Sequence, residues 1–296
     1  MKILIIGASG LVGSNCYQFF KQNGYEVTGT YLSFPAEGLV YFNSVNLAEE
    51  RNVNIEELNP EIIIHCGALT NVDYCEQHPE ESYEKTVVSV KNVATIAKQI
   101  GARIIYLSTD YVFDGLAGPY TENDDVNPLN VYGRHKLAAE KMVLTHSEEN
   151  LIVRVTNVYG DEIRNKNFIS RIIAVIKQGD KLNLSLPYDQ FATPVNAFDI
   201  ARVIHQLIVN KSKGLYHIGS TDYFNRVHLF KKVLEYFPGY KGYELQEIST
   251  KALNQPALRP LRGGLLSVKF ITENPAFEFT NVDYYLRNLQ NTESAV

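Results

Sequence analysis

"KILIIGASGLVGS", residues 2–14, joins four uninterrupted apolar residues to three glycines, Gly7, Gly10 and Gly13. An apolar stretch with Ser, Asn and Lys at intervals, "SNCYQFFKQNG" (14–24), follows at helical spacing. A buried strand feeding a glycine turn into a helix is the arrangement that receives a dinucleotide. Glycine permits a tight turn with positive φ and lets backbone approach a pyrophosphate, which then rests on the helix N-terminus. The spacing is G-x-x-G-x-x-G, a variant of the dinucleotide fingerprint. No Gly-Lys-Ser/Thr follows, so it is not the phosphate loop of ATPases. A glycine-rich turn without a ligand is the competing reading.

Working outward, four more apolar runs succeed the first: "EVTGTY" (26–31), "EIIIHC" (61–66), "RIIYLS" (103–108) and "LIVRV" (151–155). They are rich in Ile and Val and do not alternate with polar residues, as expected of strands buried on both faces of a parallel sheet. Between them lie helical stretches, the longest "EESYEKTVVSVKNVATIAKQIGA" (80–102). The alternation predicts an α/β chain with a Rossmann-type doubly wound parallel sheet over residues 1–160. Residues 161–296 read as a smaller, partly interleaved C-terminal substrate-binding region. It holds helices at 195–210 and 225–237 and a strand at 214–219 that rejoins the first sheet.

The 296 residues carry a formal net charge of -5, with the basic residues scattered, so no basic field is available for nucleic acid. The apolar start is too short for a signal peptide or a membrane span. Three cysteines, Cys16, Cys66 and Cys75, form no C-x-x-C pair. An odd count argues against a disulfide framework and fits a reducing cytoplasm. "HCGALTNVDYCEQH" (65–78) gathers His65, Cys66, Cys75 and His78, but without the paired spacing that zinc sites use, so no metal is expected.

The end of the second strand usually tells NAD from NADP: an acid there binds a ribose 2′-hydroxyl, an Arg a 2′-phosphate. "VTGTYLSFPAEG" (27–38) has no Asp, Arg or Lys, and Glu37 comes late. With no acid to repel a 2′-phosphate, the cofactor, NADP(H) or NAD(H), leans to NADP(H). Ser108 and Thr109 end the fourth run and offer hydroxyls where a substrate carbonyl could sit. About two dozen residues later, Tyr132 and Lys136 stand i, i+4 on one helix face, just after Pro128. An ammonium beside a phenol favours the phenolate and is expected to lower the phenol from ~10. Tyr17 and Lys21 share the spacing but read as a helix packed on the sheet with the lysine in solvent.

"GASGLVG", "GALTNVDYCE", "STDYVFDG", "NPLNVYGRHKLAAE", "YDQFATP" and "ALRPLRGG" occur in this order. Together they resemble the extended short-chain dehydrogenase/reductases, and among these the dTDP-4-dehydrorhamnose reductase family. The resemblance implies that Gly7, Gly10, Leu11, Val12 and Gly13 hold the cofactor pyrophosphate. Asn46 and Leu47 would lie near the adenine, and Ala68, Leu69 and Thr70 near a cofactor ribose. Thr109 would bind the substrate carbonyl with Asp110 close by, Tyr132 would donate the proton, and Lys136 would bind the nicotinamide ribose and tune Tyr132. Asn157 and Arg259 would face the substrate.

Asp110 is followed by Tyr111 where related dehydratases carry Glu, and Thr109 stands where epimerase-reductases carry a Cys acid. Asn157 replaces a Trp that packs on the sugar in the family, Asn46 replaces an acid, and the family's Arg-Pro-x-x-Ser reads Arg-Pro-Leu-Arg-Gly at 259–263. The expected partner is a nucleotide sugar, with a homodimer compatible and neither nucleic acid nor membrane involved. Two functions follow: a reductase of a nucleotide-linked 4-keto-6-deoxysugar, or an NADP-binding regulatory subunit resembling the methionine adenosyltransferase β subunit.

Overall fold

Alternate residues of the first strand leave in opposite directions, and both directions are dry. A computed structural model of the chain describes residues 1–293, which omits the last three residues of the polar tail. In β1 (Lys2–Ile6), Ile3 and Ile5 enter one apolar cluster while Leu4 and Ile6 enter another. That two-sided burial makes the run apolar rather than alternating. It also fixes β1 in mid-sheet, paired parallel with β2 (Glu26–Tyr31) on one side. β3 (Leu39–Tyr41), a short strand absent from the sequence reading, extends that side. On the other side lie β4 (Ile62–His65), β5 (Arg103–Thr109) and β6 (Leu151–Val155), all parallel.

Helices close both faces. α1 (Leu11–Gln22) covers the Ile3/Ile5 face. Beyond α2 (Ile55–Leu58) and α3 (Val72–Gln77), the predicted long helix appears as α4 (Pro79–Tyr83), one π-helical turn at Glu84–Val88, and α5 (Ser89–Ile100). α5 covers the Leu4/Ile6 face together with α6 (Val131–His146). The π-turn is a widened helical turn of the kind that recurs at functional sites.

After β6 the chain builds a second layer and then returns. α7 (Phe168–Gln178), β7 (Leu182–Pro187) and β8 (Phe191–Ala192) belong to the layer. α8 (Ala197–Val209) goes back to the Ile3/Ile5 face, and β9 (Gly214–Ile218) pairs with β6, giving the seven-stranded order β3-β2-β1-β4-β5-β6-β9. β10 (Phe224–Asn225), α9 (Arg226–Glu235), β11 (Tyr243–Ile248), α10 (Val268–Glu273) and α11 (Val282–Glu293) follow. α7, α9 and α11 share a separate apolar cluster with β7. Among the described residues no helix is long and apolar enough to cross a membrane.

α6 is locked down by a buried charge pair. Arg154 of β6 donates to both oxygens of Glu140, at 2.9 and 2.7 Å, with both side chains about 5% exposed or less. Glu140→Ala strands the guanidinium without water, so urea unfolding should register a loss of about 3–5 kcal/mol. Replacing both partners by Met should recover most of it. A single-variant loss below about 1 kcal/mol would equal that of a surface pair and contradict the burial argument.

Candidate active site

The glycine turn is as tight as backbone allows. Gly7 has φ 82°, and a Cβ there would sit 2.9 Å from the Gly67 nitrogen at the end of β4. A Cβ on Gly13 would meet the Gly7 carbonyl oxygen at 2.2 Å. α1 can therefore start against β1 only with glycine at both places. The helix has no side-chain cap and no acid in its first turn, so its amino end keeps donors for an anion. In front of it runs a cleft of about 600 Å³ along the carboxyl ends of the strands. Gly7, Gly10, Leu11, Val12, Gly13, Ala68, Leu69, Thr70, Tyr132 and Lys136 all line it. Asn46 and Leu47 are exposed outside the lining, and Ser44 and Val45, just upstream, take the wall instead. The turn at 43–46 folds back on Asn43 Oδ1, which accepts from the amides of Val45 and Asn46.

Asn130 caps α6, its side chain accepting from Gly133 N at 2.9 Å. Gly133 lets that turn press on β5's end, since a Cβ would lie 2.2 Å from the Tyr111 carbonyl oxygen. This places Tyr132 and Lys136 over the carboxyl ends of β4 and β5. Lys136 is 3% exposed; its ammonium donates to the Leu107 carbonyl and sits 4.1 Å above the Tyr106 ring. Burial pulls it down to about 7, with the Glu140 carboxylate working against the shift. Burial also pushes the Tyr132 phenol well up, opposed by the Thr109 hydroxyl and reinforced by Asp110. The predicted lowering by Lys136 is not what the ligand-free site displays: desolvation of the phenol is the larger effect. His65, buried at the end of β4, is drawn down to about 3 by burial and by Lys136, so it is neutral.

Thr109 ends β5, its oxygen accepting from Tyr111 N at 3.2 Å. Asp110 turns inward. Its carboxylate accepts from Thr156 at 2.6 Å and from Gly264 N at 3.2 Å, tying the 263–264 backbone to the strand ends. Arg259 is likewise engaged, 2.7 Å from Asp73 Oδ2. Asn157, at φ 37°, accepts from Arg226 at the start of α9 at 3.2 Å. Arg226 lies 69 residues from Asn157, and no sequence signal joined them. The four metal-like residues go elsewhere: His65 bonds Ser89, Cys75 faces the Leu69 carbonyl, His78 stacks on Tyr74, and Cys66 meets the Cys16 thiol. Among the described residues no three His, Cys, Asp or Glu side chains converge as a metal site would need.

The Lys136 shift has a definite sign. Below about pH 7 both folded and unfolded chains hold its proton, and the folded state bears the full cost of burying the charge. As pH rises toward ~10.4 the folded state sheds the proton first, and that cost fades. In thermal melts of ligand-free protein, the stability advantage of Lys136→Met over wild type should be largest near about pH 6 and shrink by about pH 10. An advantage that stays flat or grows with pH contradicts a depressed lysine.

Comparison with known proteins bears on this geometry. The family described as RmlD substrate binding domain matches residues 1–289. Methionine adenosyltransferase 2 subunit beta of Xenopus laevis is 34% identical over 235 residues, 77% of this chain and 70% of that protein. The dTDP-4-dehydrorhamnose reductase of Escherichia coli K12 is 31% identical over 280 residues, 91% of each. A crystal structure of dTDP-4-dehydrorhamnose reductase from Bacillus anthracis, in complex with NADP, superposes with a TM-score of 0.83 at 26% identity, covering 97% of both chains.

Proposed function

This chain belongs to the RmlD substrate binding domain family, and from that premise we propose that it is an NAD(P)H-dependent reductase of a nucleotide-linked 4-keto-6-deoxysugar, like dTDP-4-dehydrorhamnose reductase. The observation that carries the reading is that Tyr132 and Lys136 line the same cleft as the glycine turn, with the Thr109 hydroxyl against Tyr132 just behind that lining. Glycines at 7, 10 and 13, the open amino end of α1 and a long cleft suit a dinucleotide. Residues 1–160 with β9 would form the cofactor half, and 161–296 most of the substrate half.

A reduced nicotinamide, NADP(H) or NAD(H), supplies the hydride that reaches the sugar C4. The Thr109 hydroxyl orients the C4 carbonyl oxygen. Tyr132 gives that oxygen its phenolic proton, completing a secondary alcohol. A phenol pushed up by burial stays protonated across neutral pH, which suits a proton donor. Lys136 holds a ribose hydroxyl and keeps a cation near the phenolate that forms. Three free cysteines support a reducing cytoplasm as the setting.

The 34% identity to a methionine adenosyltransferase β subunit favours a second reading, a regulatory subunit that binds the nucleotide without turnover. The 91% mutual coverage with the Escherichia coli reductase, against 70% of the β subunit's length, weighs toward the enzyme.

Purified protein given dTDP-4-keto-rhamnose and NADPH, then NADH, should consume reduced nicotinamide. Tyr132→Phe should lower kcat by about 10²- to 10⁴-fold while leaving nucleotide binding intact. Nucleotide binding without turnover, together with complex formation with a methionine adenosyltransferase catalytic subunit, would replace the reductase by the regulatory role.

A further inference from the structure

The end of β2 carries no cation for a 2′-phosphate, yet a cation stands there in the fold. Arg164 comes from the loop between β6 and α7, more than 120 residues downstream of β2. It lines the cofactor cleft. One terminal nitrogen lies 3.8 Å from where a Cβ on Gly10 would be. Its guanidinium carbon is 5.3 Å over the ring of Phe34, three residues beyond the last residue of β2. Arg164 thus spans the glycine turn and the β2 loop, the two places between which a dinucleotide's adenosine ribose lies.

The group is held and only partly used. Glu162 Oε1 is 3.5 Å away, while Oε2 of the same carboxylate accepts from the backbone nitrogens of Lys166 and Asn167. Arg164 Nε is buried and has no hydrogen-bond partner. A buried donor left unmade is costly, and the guanidinium edge bearing Nε and a terminal nitrogen matches two phosphate oxygens in a forked pair. Lys166 lines the same cleft and adds a second positive charge against the one carboxylate of Glu162.

We propose that Arg164 is the receptor for the 2′-phosphate of NADP(H), so that cofactor choice is set from the β6–α7 loop rather than from β2. The proposal rests on the dinucleotide reading of the cleft. Its test is a titration of wild type, Arg164→Ala and Arg164→Lys with NADPH and with NADH, followed by nucleotide fluorescence. NADPH affinity should fall at least about tenfold in Arg164→Ala, the weight of one charge-assisted pair. NADH affinity should stay within about twofold of wild type, which also certifies that the variant is folded. Arg164→Lys, a charge without the fork, should fall between. Equal loss of both nucleotides would mean that the guanidinium touches the diphosphate common to them, and no loss would leave it a loop ion pair; either overturns the proposal while keeping the cofactor reading. Wild type that binds neither nucleotide would sink the dinucleotide reading itself, and this proposal with it.

Discussion

Glu140 accepts two hydrogen bonds from Arg154 and one from Ser108 in a place water does not reach. The three residues sit on α6, β6 and β5, so one carboxylate fixes how the helix lies across two strands. Arg154 continues the chain to His217 on β9 at 3.2 Å. Burial pulls His217 down to about 4, so its ring is neutral. With Nε2 accepting from Arg154, the proton is on Nδ1, which donates to the Tyr120 carbonyl at 3.1 Å. The network therefore ends at the loop that carries the substrate-side backbone, where Tyr120 N bonds the Gly264 carbonyl. Lys136 and Tyr132 ride one and two turns N-terminal to Glu140 on the same helix, and their placement follows from this anchor.

A second constraint is electrostatic. His65 and Lys136 lie within electrostatic reach of each other, both nearly out of water. Two buried cations cannot share that space, and the histidine, with the lower intrinsic pKa, loses the proton. The Ser44–Ser89 hydroxyl pair then meets a neutral ring, Ser89 standing 3.3 Å from His65 Nε2. Of the two groups Lys136 keeps its proton to the higher pH, with its ammonium 4.1 Å above the Tyr106 ring. Ser89 begins α5 just past the π-turn, so the irregular turn and the charge arrangement belong to one wall.

The parts legible in the sequence were those with local signatures. Strands buried on both faces write themselves as unbroken apolar runs, and glycines whose Cβ would collide with backbone cannot be replaced by anything larger. The Tyr132–Lys136 face followed from helical period alone. What escaped depends on partners distant in the chain or on burial. Asp110, which the resemblance sets near the substrate, also accepts from Thr156 and from Gly264 N, partners no local pattern reveals. Arg259, which the resemblance turns toward the substrate, is ion-paired with Asp73, 186 residues earlier. The rise of the phenol by burial is invisible for the same reason: spacing reveals the neighbouring lysine but not the water removed from both groups.

That removal of water also bears on what the cleft is for. A site that only binds a dinucleotide needs the glycine turn and the helix amino end, and both are satisfied by uncharged backbone. Holding a phenol and an ammonium in the same dry wall opposes folding through desolvation of the ammonium. Lys136 could justify its place as a ribose contact in either role. Tyr132 is harder to explain without a proton to give: it lines the cleft with the Thr109 hydroxyl beside it. Strongly displaced groups meeting in a cleft are the mark of chemistry more often than of scaffolding. Of the two readings the family allows, the one that transfers a proton gives both Tyr132 and Lys136 a use.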